Sequence, residues 1–124
     1  MSNSFIKPQE ATRLNEESKS YDDHICLIKF EYCDKRYPLE KLNSRELKML
    51  LKFFQKIEKY TWSFIKHEDK SLNYEIISDI RVPDNIPSDA NIVSLRVTDV
   101  FRIIGFRVSN KFNIIWFDKN HKVY

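Results

Sequence analysis

The sequence predicts a small α+β domain: an antiparallel sheet of four to five strands, with one long helix and a short helical segment packed on one face. Three observations carry this expectation. A single strong helical periodicity begins at Ser44, and three hydrophobic runs crowd into the C-terminal third, 92–97, 101–108 and 111–118. The links between those runs are also too short for crossover helices, so neighbouring strands have to form hairpins.

Residues 1–23 are polar, contain a proline and show no hydrophobic period, which reads as a flexible lead-in to a single domain at 24–124. HICLIKFEY, from His24 to Tyr32, mixes β-branched and aromatic residues, and its charges at Lys29 and Glu31 fall on one face of a strand. Tyr37-Pro38 ends that run because proline offers no amide to a ladder. Asn43 with Glu46 forms a capping-box start, and Leu47, Leu50, Leu51, Phe54 and Ile57 then recur at helical spacing, predicting a helix over 44–60. Phe53, Tyr60 and Phe64 widen its apolar side, which suits a helix lying across a sheet. TWSFIKHED suits a short second helix. NYEIISDIRV, 73–82, reads as a strand closed by the turn-rich PDNIPSDAN. Gly105, the only glycine, interrupts the next-to-last strand, where it permits a bulge, a close backbone approach or packing under an aromatic ring.

Net charge is +3, but residues 91–124 hold six Lys/Arg against two acids, leaving the remainder slightly acidic. A basic C-terminal third can attract phosphates, or it can be a solvated strand face. Cys26 and Cys33 lack CxxC spacing and suit reduced thiols, and no apolar run has the length of a signal peptide or a membrane span. A cytoplasmic protein without membrane contact is expected. A single glycine rules out multi-glycine phosphate loops, and His67-Glu68-Asp69 lacks a second ligand pair, so neither a metal nor another cofactor is expected.

A two-residue turn at Ser109-Asn110 pairs Val108 with Lys111 and sets Arg102 opposite Phe117, so that Lys119 and His121 share the face of Arg102 if the strand runs on. Arg96 joins that face only if the connection before Phe101 has odd length. Arginine matches phosphate oxygens and histidine can move a proton, the groups that phosphodiester cleavage of RNA requires. A competing cluster, Trp62, His67 and Tyr74, offers a partner-binding contact, or else Trp62 caps the core and His67 sits at a solvated helix end.

VSLRVTDVFRIIGFRVSNKFNIIWFDKNHKVY resembles the RelE/YoeB/ParE toxin superfamily: an arginine on one strand, a second in Phe101-Arg102-Ile103, a short hairpin, a hydrophobic strand and a terminal His and Tyr. The resemblance implies a RelE-like fold and a toxin that cleaves mRNA, free or on the ribosome, without metal, and is neutralised by an antitoxin protein. Arg96 and Arg102 would hold the scissile phosphate, and His121 or Tyr124 would assist proton transfer. Arg107, Lys111, Lys119 and Lys122 would contact RNA. The chain departs from the family in its long polar lead-in and in the Val123 that separates Lys122 from Tyr124. Those departures motivate the alternative: a non-enzymatic inhibitor or regulator of phage or mobile-element type that binds one protein or nucleic-acid partner.

Overall fold

In a computed structural model describing residues 18–88 and 90–124, the C-terminal hairpins form the centre of a five-stranded sheet ordered β1-β5-β4-β3-β2. The strands are β1 Leu27–Lys29, β2 Glu75–Ile77, β3 Ile92–Arg96, β4 Arg102–Val108 and β5 Lys111–Asp118; the helices are α1 Ser44–Ile57 and α2 Trp62–His67. Every neighbouring pair is antiparallel except β1, which runs parallel to β5. No helix among the described residues is long and apolar enough to cross a membrane.

The local signals act as expected. Asn43 and Glu46 exchange side-chain and backbone hydrogen bonds, each of 2.8 Å, at the start of α1. The helix stops at Ile57, short of Tyr60, because the Tyr60 carbonyl accepts from the Cys26 amide at 2.9 Å and Thr61 then caps α2 through Phe64 N–H at 3.1 Å. Two predicted strands are much shorter than their hydrophobic runs. Past Lys29 the chain leaves the sheet edge, and Asp34 N–H donates to the Ile115 carbonyl instead. Past Ile77, Asp79 adopts a left-handed φ of 59°, which an extended ladder does not tolerate.

α1 and α2 cover one face, burying Leu50, Phe53, Ile57, Trp62 and Ile65 against Leu95, Ile103, Phe112, Ile114 and Phe117. The opposite face is not left to water. Ile92, Ile104, Phe106, Ile115 and Trp116 are buried there beneath loop residues, among them Tyr32, Tyr37, Ile80, Val82 and Val123. An antiparallel sheet commonly wets one face; this one is covered on both, so β4 and β5 are buried almost end to end.

The β4–β5 register holds one correction. Val108 faces Lys111 as expected, but Arg102 faces Asp118 and not Phe117. The ladder steps from Ile104 opposite Trp116 to Gly105 opposite Ile114, leaving Ile115 as the extra residue of a bulge. Gly105 allows it: a Cβ there would stand 2.2 Å from the Asn113 carbonyl oxygen. Ile115 and Trp116 consequently both enter the loop-covered core, and Phe117 returns to the helix side.

Residues 1–17 of the expected lead-in lie outside the described residues. Its last part, 18–23, belongs to the domain. Asp22 pairs with Lys66 at 3.0 Å and Arg107 at 2.6 Å, and the Ser18 hydroxyl accepts from Ser109 N–H at 2.9 Å.

Candidate functional site

The five residues 97–101 connect β3 to β4, an odd number, and Arg96 therefore stands directly across from Arg102 on the loop-covered face. Val97 N–H donates to the Phe101 carbonyl at 2.8 Å, and Thr98 Oγ1 accepts from Phe101 N–H at 3.1 Å, closing the turn. Arg102, only 5% exposed, donates from Nη1 to the Thr98 carbonyl at 2.6 Å. The Nε groups of Arg96 and Arg102 are both buried without a hydrogen-bond partner among the described residues. Among the described residues neither guanidinium has a carboxylate within ion-pair distance. Two like charges directly opposed across a ladder repel, so the pair raises the affinity of this end of the sheet for an anion.

Asp118 faces Arg102 in the register, but its carboxylate is spent elsewhere. It accepts from Lys122 N–H at 2.8 Å and from Val123 N–H at 2.9 Å, and it is fully buried. These bonds turn the chain back on itself, with His121 at a left-handed φ of 56°. Tyr124 thereby returns over the sheet. Its hydroxyl donates to Glu75 Oε1 at 3.1 Å and lies 2.7 Å from Ser94 Oγ, which is left to donate to it. The His121 ring lies against that of Tyr124, with centroids 4.8 Å apart. Arg96, Arg102, His121 and Tyr124 thus gather at one end of the sheet. The expected common face of Arg102, Phe117, Lys119 and His121 does not form, because the bulge turns Phe117 to the helices and the chain reverses after Asp118.

The remaining candidates divide. Lys122 is exposed beside the tail, whereas Lys119 reaches toward α1, donating to the Lys41 carbonyl at 2.9 Å with Glu46 3.6 Å away. Lys111 is exposed at the opposite, hairpin end of the sheet. Arg107 does not form part of an RNA-facing surface. It is 9% exposed, paired with Asp22, bonded to the Ser109 carbonyl at 2.7 Å and to that of Ser18, and stacked 4.6 Å over Trp62. Trp62 belongs to the core and not to a partner surface: it is 0% exposed, and Nε1 donates to the Asn110 carbonyl at 2.9 Å. Tyr74 is half-buried, and burial pushes its hydroxyl pKa up despite the nearby Arg107; His67 is exposed at the end of α2.

One region had no chemistry assigned from sequence. Residues 34–42 wrap from the loop-covered face to the tail, anchored by Asp34 on Trp116 Nε1 at 2.9 Å and by Phe117 N–H on the Tyr37 carbonyl at 2.9 Å. With the tail they enclose a cavity of about 300 Å³ that has Phe117, Leu42 and Pro38 in its lining and Lys35, Lys41 and Lys122 among its polar residues. The signal was present in DKRYPLEK, an aromatic residue set among cations before a proline. Nothing local in that string says that it meets the last strand.

Fold and site together define a small α+β domain with an opposed arginine pair at one end of its sheet. Comparison with protein-family models, with curated proteins and with solved structures finds no match in any of the three.

Proposed function

We propose that the protein is a RelE-like toxin of the cytoplasm that cleaves mRNA by metal-independent phosphodiester transfer, arrests growth, and is neutralised by an antitoxin protein. The observation that carries this reading is the opposed Arg96–Arg102 pair, without a carboxylate partner among the described residues, with His121 and Tyr124 folded back to the same end of the sheet. The 2′-hydroxyl attacks phosphorus, its O–H proton is removed, and the bond to the 5′-oxygen breaks as that oxygen gains a proton. The guanidinium N–H groups stabilise charge on the phosphorane oxygens. His121, half-exposed, serves one proton transfer, and the Tyr124 hydroxyl, already hydrogen-bonded to a carboxylate, serves the other.

The test is cleavage mapping on RNA, with and without ribosomes, using folded wild-type protein beside Arg96→Ala and His121→Ala. Each substitution is expected to slow cleavage by about a hundredfold or more. Undiminished cleavage by the double variant would refute the assignment.

The burial of Arg102 and the bond from its Nη1 to the Thr98 carbonyl favour a second reading, a non-enzymatic inhibitor or regulator that uses this end to bind a protein or nucleic acid. Absence of RNA cleavage by the wild-type protein, together with recovery of one stoichiometric partner, supports that reading over the first.

A further inference from the structure

The tail closes two cavities, and Tyr37 and Lys122 line both of them. The larger, about 300 Å³, has an apolar lining with a lysine rim. The smaller, about 110 Å³, includes three cations, Arg36, Arg81 and Lys122. We propose that this pair of chambers binds one nucleoside phosphate unit, with the base in the larger chamber beside Tyr37 and Phe117 and the phosphate among Arg36, Arg81 and Lys122. The proposal goes beyond the cleavage reading: it uses none of Arg96, Arg102, His121 and Tyr124, takes only Lys122 from the RNA contacts that the resemblance implies, and holds whether or not RNA is cut.

Charge supports an anion in the small chamber. Among the described residues, neither Arg81 nor Lys122 has a carboxylate within ion-pair distance, and Arg36 reaches Asp34 only at 3.7 Å. Among the described residues Asp118 is the one acid lining either chamber, and both its oxygens are occupied by backbone amides of the tail. Arg36 is also held in place, its guanidinium 4.9 Å over the Trp116 ring, so part of the cost of ordering a phosphate-binding arginine is met before binding.

The large chamber supports a flat heteroaromatic group over a bare anion. Its size lies at the lower end of small-molecule sites, and Tyr37 and Phe117 bring aromatic rings to its lining. Asn120, in the same wall, carries both a donor and an acceptor, the pair needed to read a base edge. Lys35 and Lys41 complete the rim without a carboxylate partner among the described residues. The chambers adjoin at Tyr37 and Lys122, which suits a base and a phosphate joined through one sugar. A free mononucleotide and a unit of single-stranded RNA present this same chemistry.

The experiment is amide NMR of the full chain titrated separately with adenosine monophosphate, uridine monophosphate, inorganic phosphate and a short 2′-O-methyl oligoribonucleotide, which cannot be cleaved. Shifts confined to the amides of residues 35–42, 81–82 and 117–123 are expected with the nucleotides or the oligonucleotide. Saturation by a mononucleotide identifies a free nucleotide as the ligand; saturation by the oligonucleotide alone identifies the RNA strand. Arg81→Glu with Lys122→Glu, both exposed and therefore compatible with folding, should weaken binding about tenfold or more, whereas Lys48→Glu on α1 should not. Equal shifts with inorganic phosphate alone, shifts elsewhere, or none with any probe would overturn the proposal. Loss of cleavage in Arg96→Ala with this binding intact separates the two readings.

Discussion

Replacing Gly105 with alanine tests the register on which the tail depends. A Cβ at this position would lie 2.2 Å from the Asn113 carbonyl oxygen, 2.9 Å from its carbon and 3.0 Å from the Ile114 Cα. All three are backbone atoms of β5, so no rotamer change relieves the overlap. Nor can β5 retreat, since Ile114 packs on the helices while Ile115 and Trp116 pack under the loops. Overlap of roughly 1 Å in a close-packed core falls at the upper end of overpacking costs, about 3 kcal/mol. Lower entropy of the unfolded chain returns up to ~1 kcal/mol, leaving a net loss of roughly 2–3 kcal/mol. For a domain of this size that lowers Tm by about 10 °C or more, and with an ordinary urea dependence it lowers the unfolding midpoint by ~1 M or more. Thermal and urea unfolding of the single variant measure it. An unchanged or raised Tm would refute the reasoning, because the bulge would then have room for a side chain and its register would need another cause.

Asp118→Ala removes two charge-assisted bonds that hold Lys122 and Val123, and it should cost about 3 kcal/mol or more. The His121 and Tyr124 ring signals in proton NMR should move toward exposed values; an intact tail with full stability would refute the capping role. Stability should fall in acid. Burial raises the Asp22 and Asp69 carboxyl pKa values, but hydrogen bonds from Lys66 and Arg107 to the first, and from Ser71 and Tyr60 to the second, outweigh it and bring both below 3.8. Their stabilisation is present above that value and is lost as pH falls through the lower folded-state values. Urea midpoints should therefore hold between about pH 7 and pH 5, then drop below ~4, with a shallower drop in Asp22→Asn. Arg107→Met should destabilise by about 3 kcal/mol, because it strips a partner from Asp22 and the cation from Trp62; a loss under ~0.5 kcal/mol would make that cluster ornamental to stability. Cys26, whose thiol burial pushes up to about 12, should resist alkylation in the native state, whereas exposed Cys33 should react first in a timed thiol assay.

Much of the fold was legible because its determinants are local. The Asn43–Glu46 cap, the period of α1, and the turn at Ser109-Asn110 each act within a few residues, and each forms where expected. The span Lys111–Asp118 was read to its ends for the same reason. Failures followed long-range competition. His24–Tyr32 has strand composition throughout, but only Leu27–Lys29 finds a partner ladder before the chain is drawn across the sheet by Asp34 on Trp116. Trp62 was open between a partner contact and a core cap, and Arg107 looked available to RNA, because nothing near them in sequence reveals that the guanidinium stacks on the indole.

The candidate site divides along the same line. Sequence by itself determined that a basic, hairpin-forming C-terminal third would carry Arg96, Arg102, His121 and Tyr124, since residue type, alternation and turn chemistry are written locally. Tertiary structure decided that Arg96 opposes Arg102, that a bulge at Gly105 aligns Asp118 with them, and that Asp118 turns the tail so Tyr124 reaches Ser94 and Glu75. It also decided that Lys35–Leu42 meets that tail to form two basic chambers. The physical reason is that a one-residue register step and a side-chain cap have no local cost that the sequence displays. Their energy comes from two cores closing on opposite faces of one strand.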